Sequence, residues 1–125
     1  MVGLSGVQLE RVDSLDKAME LKRWLGERRS ALAFDTETSG LNPYAPGAQI
    51  RLIQFGDTQM GWALDWDMWK GLALEVLRSW SGRWIAHNLP FDQKWVEHHS
   101  DFRFPTHLCD DTMLQAHVVN PLGPG

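Results

Sequence analysis

Three strand-like runs in succession, followed by helix, strand and helix, constrain this chain more than any other feature of its sequence. Residues Ala31 to Glu37 alternate, with Leu32, Phe34 and Thr36 on one flank and Ala31, Ala33, Asp35 and Glu37 on the other, until Ser39-Gly40 stops the run. After a loop holding Asn42-Pro43, Pro46 and Gly47, a second run covers Gln49 to Gly56. Asp57-Thr58-Gln59 then turns the chain and Met60 to Asp65 returns, which makes a hairpin. The spacing of Leu72, Val76, Leu77 and Trp80 predicts a helix over Met68 to Trp80. Arg83 to Ala86 reads as a short buried strand, and Leu89 to His99 as a helix with Pro90 in its first turn. Upstream, Asp13 and Ser14 can cap a helix in which Leu15, Ala18, Leu21 and Leu25 recur until Gly26. Downstream, a last helix is predicted from Asp111 or Thr112 to Val119, where Asn120-Pro121 breaks it. Strands joined by tight turns pair antiparallel, whereas a strand reached through a helix joins by a crossover, so the expectation is an α/β domain with a mixed sheet.

A chain of 125 residues has room for one domain around one core, expected to be residues 1–125. With 43% hydrophobic and 22% charged residues and no low-complexity run, disordered and fibrous classes drop out. Met1 to Glu10 lacks the flank and apolar block of a signal peptide, and Cys109 is the only cysteine, so the expected location is cytoplasmic. The net charge of −4, without a Lys/Arg cluster, argues against tight, sequence-blind binding to duplex nucleic acid. Acids gathered around divalent cations would leave such a balance when counted without their metals. His98, His99, His107, Cys109 and His117 match no paired zinc-ligand spacing. Most of the seven tryptophans sit among apolar neighbours at helix or strand spacing, which favours a core role over stacking platforms for bases. No Gly-rich phosphate loop or Gly-x-Ser-x-Gly elbow is present, so nucleotide-cradling and nucleophilic enzymes are set aside.

The chemistry resides in acids. Asp35 and Glu37 leave the same face of a strand with Cα atoms about 6.5 Å apart. In a partly buried setting of effective dielectric near 20, two charges about 6 Å apart repel by about 3 kcal/mol. A hard divalent cation offsets that directly, and Mg²⁺ or Mn²⁺ suits carboxylate ligands; full solvation of an exposed strand end is the other resolution. Asp92 lies in His87-Asn88-Leu89-Pro90-Phe91-Asp92, where a strand gives way to a helix and Phe91 meets Trp95 at i,i+4 spacing. Alone, Asp92 reads first as a carboxylate complementing the helix dipole.

Together, Asp35-Thr36-Glu37-Thr38 at the end of a strand and Asn88-Leu89-Pro90-Phe91-Asp92 at a strand-to-helix junction resemble the first two motifs of the DEDD 3′-5′ exonuclease superfamily. Arg51-Leu52-Ile53-Gln54-Phe55, Asp111-Thr112-Met113-Leu114-Gln115 and Asn120-Pro121-Leu122-Gly123 are most similar to the proofreading domain of bacterial and phage family A DNA polymerases. The resemblance implies a ribonuclease H-like (DnaQ-like exonuclease) fold, a mixed sheet flanked by helices and C-terminally incomplete. It implies two divalent metal ions, Mg²⁺ or Mn²⁺, with Asp35 bridging both, Glu37 completing the first and Asp92 holding the second. The implied partners are a single-stranded DNA 3′ end and a polymerase domain or the remaining part of the exonuclease domain. Thr38, Leu41, Asn88 and Phe91 are the implied substrate contacts, with Leu41 against the terminal base; ordinary packing accounts for Leu41 as well. The family's third motif, a Tyr or His shortly before a fourth Asp, is not found, and neither Asp110 nor Asp111 replaces it. The 125-residue chain alone is therefore expected to be weakly active or inactive. A ribonuclease D-like RNA exonuclease and a non-catalytic module that binds nucleic acid or a polymerase are the two rival readings.

Overall fold

The computed structural model describes residues 8–27 and 31–111. Six strands and three helices follow in the order β1 (Gln8–Arg11), α1 (Leu15–Leu25), β2 (Ala31–Thr38), β3 (Ile50–Gly56), β4 (Met60–Asp65), α2 (Trp66–Ser79), β5 (Arg83–Ala86), α3 (Leu89–His98) and β6 (Cys109–Asp111). The strands form one mixed sheet in the order β1-β4-β3-β2-β5-β6. As the turn lengths require, β2, β3 and β4 pair antiparallel, and β5, reached through α2, lies parallel to β2.

Local chemistry sets the helix ends. The Ser14 hydroxyl accepts from Lys17 N at 3.2 Å and caps α1. The second helix starts at Trp66 and not at the expected Met68, because the Asp65 carboxylate, at the last position of β4, accepts from Met68 N at 3.1 Å and caps it. Trp69 leaves helical geometry (φ −116°, ψ 21°), so the first turn of α2 is offset from the rest. In α3 the expected first-turn proline is in place, and the helix closes at His98 with His99 as its cap.

Two strands lie outside the sequence-based expectation. The edge strand β1 runs parallel to β4, and β6 runs parallel to β5 with Ala86 opposite Asp111. Asp111 therefore ends a strand where the sequence predicted the start of a helix; the rest of that predicted helix lies outside the described residues.

The core confirms the reading of the tryptophans. Trp62, Trp66, Trp84 and Trp95 are buried, and Trp24, Trp69 and Trp80 pack partly buried against them. Phe34 packs edge-on against Trp84 at 5.4 Å and stacks on Phe104 at 4.6 Å, geometries that aromatic quadrupoles favour. This cluster fixes β2 against β5, and the carboxyl ends of those two parallel strands carry the acids. Among the described residues no helix is long and apolar enough to cross a membrane.

Candidate active site

The end of β2 presents three residues in three environments: Asp35 half-buried, Thr36 buried and Glu37 exposed. Asp92 arrives from the first turn of α3, whose start is fixed by Asn88 at the cap position and by the bond from Asp92 N to Asn88 O at 3.2 Å. Its side chain is only 3% exposed. Thr36 is where the two segments meet. Its hydroxyl donates to Asp92 Oδ1 at 2.6 Å, and its N–H donates both to Asp92 Oδ1 at 3.3 Å and to Asp35 Oδ1 at 3.0 Å. Carboxylates 57 positions apart in the sequence thus share one hydrogen-bond donor.

That proximity is electrostatically expensive. Burial raises the Asp92 carboxyl from its ordinary 3.8 to about 7, and the charges of Asp35 and Asp111 push the same way against the lowering effect of the two Thr36 bonds. No basic side chain among the described residues counters it. Gln54 stands opposite Asp35 in the β2–β3 ladder, on the same face, and its Oε1 is buried without a hydrogen-bond partner. Two carboxylates on one shared N–H, one of them with an unsatisfied carbonyl oxygen opposite it on its own face, are oxygen donors of the type that suits a hard divalent cation.

The remaining expected residues are placed as follows. Glu37 lies on the face of Asp35 but in solvent, whereas Asp35 shares the Thr36 N–H with Asp92. Among the described residues no three His, Cys, Asp or Glu side chains gather closely enough to hold a metal ion. Asn88 makes no side-chain capping bond, and Phe91 packs beside Trp95 with ring centroids 6.1 Å apart. The Thr38 hydroxyl donates to Gly40 O at 2.7 Å and steadies the loop that carries Leu41, which is 87% exposed. Asp110 is committed elsewhere: Arg83 donates to its two oxygens at 2.9 and 2.7 Å and holds its carboxyl below the usual range.

Thr36 is the site residue that the sequence reading missed. Alternation put it on the core flank with Leu32 and Phe34, and a hydroxyl on an otherwise apolar flank was the available signal. Thr36→Val keeps the shape and removes the hydroxyl donor from the charged form of Asp92. The expected cost is about 1.5 to 3 kcal/mol at pH 8 and much less at pH 5, where Asp92 is protonated. Thermal unfolding of the full-length protein at the two pH values checks this; equal losses at both would sink it.

The profile of the 3′-5′ exonuclease family matches residues 10–122, which include both acidic segments. The chain belongs to the 3′-5′ exonuclease family. No curated protein sequence matches it. Among solved structures, this exonuclease domain is similar to the catalytic core of RRP6 from Trypanosoma brucei (18% identity, TM-score 0.65, 89% of this chain and 30% of that one). It is similar to NrnC from Brucella melitensis (18%, 0.65, 95% and 55%) and to the Nibbler EXO domain from Aedes aegypti (20%, 0.62, 97% and 60%). NrnC has also been solved with bound Mg²⁺ and bound to pGG. The exonuclease chain spans about a third to three-fifths of the length of these three proteins. At these identities the likeness establishes the fold, which is the ribonuclease H-like, DnaQ-type α/β fold that the motifs implied.

Proposed function

We propose that this domain removes nucleotides from a single-stranded DNA 3′ end by metal-dependent hydrolysis, as in the proofreading domains of family A DNA polymerases. One observation carries the reading: Asp92, buried and raised to about 7, shares the Thr36 N–H with Asp35 at the carboxyl end of β2. A stability-driven fold gains nothing from such a pair, and perturbed acids of this kind cluster where charge is handled. Asp35 and Asp92 would hold the divalent ions, Mg²⁺ or Mn²⁺, with Glu37 beside Asp35 on the same face. When bound, such a pair of ions activates water and neutralises charge on the leaving 3′ oxygen.

The chain's own contribution is placement. Thr36 fixes Asp92 Oδ1 and orients the carboxylate, which would hold a cation in its deprotonated form. Leu41 offers an apolar surface to the terminal base, and Thr38, Asn88 and Phe91 lie at the segments flanking the acids, where the substrate strand would run. A polymerase domain, or the remainder of the exonuclease domain, is the expected partner.

The test is a time course with 5′-labelled single-stranded DNA and RNA of one sequence, using the full-length protein with Mg²⁺ or Mn²⁺. Slow stepwise shortening of the DNA from its 3′ end, limited by the missing acid of the third motif, is the expected outcome for the 125-residue chain. A strong preference for RNA would replace the proofreading reading with the ribonuclease D-like one. Inactivity on both, together with no calorimetric Mn²⁺ binding dependent on Asp35 and Asp92, would leave a non-catalytic module.

A further inference from the structure

The loop after β2 is a closed unit. Ser39 N donates to Gln49 O at 2.9 Å, and Gln49 N donates to Ser39 Oγ at 3.0 Å, which pinches its neck shut. Inside, Asn42 Oδ1 accepts from Tyr44 N at 2.9 Å, Asn42 O from Ala45 N at 3.2 Å and Ala45 O from Ala48 N at 3.0 Å. Gly47, at φ 75°, takes the left-handed step that a side chain would resist. The loop's own residues line an open cleft of about 520 Å³, with Leu41 on its wall. Those bonds shape the loop and tie it to the ends of β2 and β3, but not to α3, which carries Asp92.

Tyr44 makes that connection. Its ring, 61% exposed, meets the His98 ring edge-on at 4.4 Å, at the last turn of α3. His98 in turn meets His99 edge-on at 5.1 Å, and His99 stacks on the fully buried Trp95 at 5.4 Å. A run of ring contacts therefore leads from the loop bearing Leu41 to the rigid core of the helix whose first turn bears Asp92.

We propose that Tyr44 is a positioning residue for the substrate's 3′ end: packed on His98, it holds the loop so that Leu41 keeps a fixed place relative to Asp92. This rests on the exonuclease reading above. A loop ordered in advance spares the cost of ordering it when the strand binds, and a reacting phosphodiester tolerates only small misplacement. A largely exposed tyrosine contributes little to the core, which separates this role from a structural one.

The experiment uses the full-length protein. Fluorescence anisotropy with a 5′-fluorescein single-stranded DNA in Ca²⁺ gives binding, Mn²⁺ titration gives metal affinity, and steady-state hydrolysis in Mg²⁺ separates KM from kcat. Tyr44→Ala is expected to weaken DNA binding and raise KM by about 3- to 10-fold, with kcat and Mn²⁺ affinity within about twofold of wild type. Tyr44→Phe, which keeps the ring, restores binding. His98→Ala shows the same loss, and the double variant is no worse than either single one, because both break one contact. The proposal is overturned if Tyr44→Ala binds as wild type, if Tyr44→Phe fails as Tyr44→Ala does, or if the two alanine losses add. A wild-type protein that binds no single strand would overturn the exonuclease reading and this inference with it, whereas a wild type that binds and a Tyr44→Ala that binds equally well removes this inference alone.

Discussion

Asp92→Asn in the full-length protein is expected to slow 3′-end hydrolysis by about 10²- to 10³-fold while raising the melting temperature at pH 8. The loss follows from removing one anion from a site whose charge placement carries the chemistry; single groups aimed at reacting charge are typically worth factors of that size. The gain has a different source. Asparagine accepts the Thr36 hydroxyl bond through its carbonyl oxygen, but it places no charge in a position that is 3% exposed and already faces Asp35. Activity and stability therefore oppose each other at this residue, as they do where a strained functional group is retained. Asp35→Asn is the control. It should cost a similar factor in rate with a smaller change in melting temperature, because Asp35 is half-buried and partly solvated. Single-turnover rates on a labelled strand and thermal melts followed by circular dichroism give both readouts. An Asp92→Asn protein that hydrolyses the strand at the wild-type rate removes Asp92 from the reaction.

How much of this was legible beforehand depends on what each residue exposes to a one-dimensional reading. The strand from Ala31 could be read because its alternation reflects one face packed on the core, with Leu32 and Phe34 buried, whereas the strands from Gln49 and Met60 were legible from the turn between them and are buried on both faces over Ile53 to Gly56 and Gly61 to Leu64. β1 and β6 could not. Gln8–Arg11 has one apolar residue, Leu9, which is exposed, and Cys109–Asp111 has two acids, so both strands are held by backbone pairing to a neighbour that no local signal names. The start of α2 was misread because Asp65 serves twice, as the last residue of β4 and as the cap.

At the site, the types of Asp35 and Asp92 suggested their chemistry, but their meeting depends on β5 lying beside β2, a tertiary fact. For Glu37 the spacing gave the face but not the burial, and its exposure is the solvated alternative that the spacing left open. Thr36 escaped notice because threonine is an ordinary strand residue, and its hydroxyl gains meaning only from an acid 56 residues away.

The second large effect is a dependence of stability on pH that divalent cations should abolish. Folded Asp92 titrates at about 7 and the unfolded chain near 3.8, so between those values the folded state keeps a proton that the unfolded state has lost. Stability from this group is complete below pH 4 and disappears as pH rises through 7, a sign opposite to that of an ordinary salt-bridged carboxylate. Three pH units correspond to about 4 kcal/mol at 1.36 kcal/mol each. Glu10 and Asp110, whose carboxyls are lowered by Lys17 and Arg83 from ordinary values of 4.5 and 3.8, act in the other direction as pH falls through those values, so the interval from about pH 5.5 to 7 is where the Asp92 contribution is read. In EDTA the melting temperature is thus expected to fall across that window. If the site takes up Mn²⁺ as proposed, an excess of it would favour the deprotonated folded state, so its stabilisation is expected to grow with pH and to flatten the profile. Melts of the full-length protein at half-unit steps, with and without Mn²⁺, and of Asp92→Asn in EDTA, separate the contributions. A metal-free profile that rises across that interval, or a slope that survives in Asp92→Asn, would mean that the burden on this carboxylate has been assigned to the wrong residue.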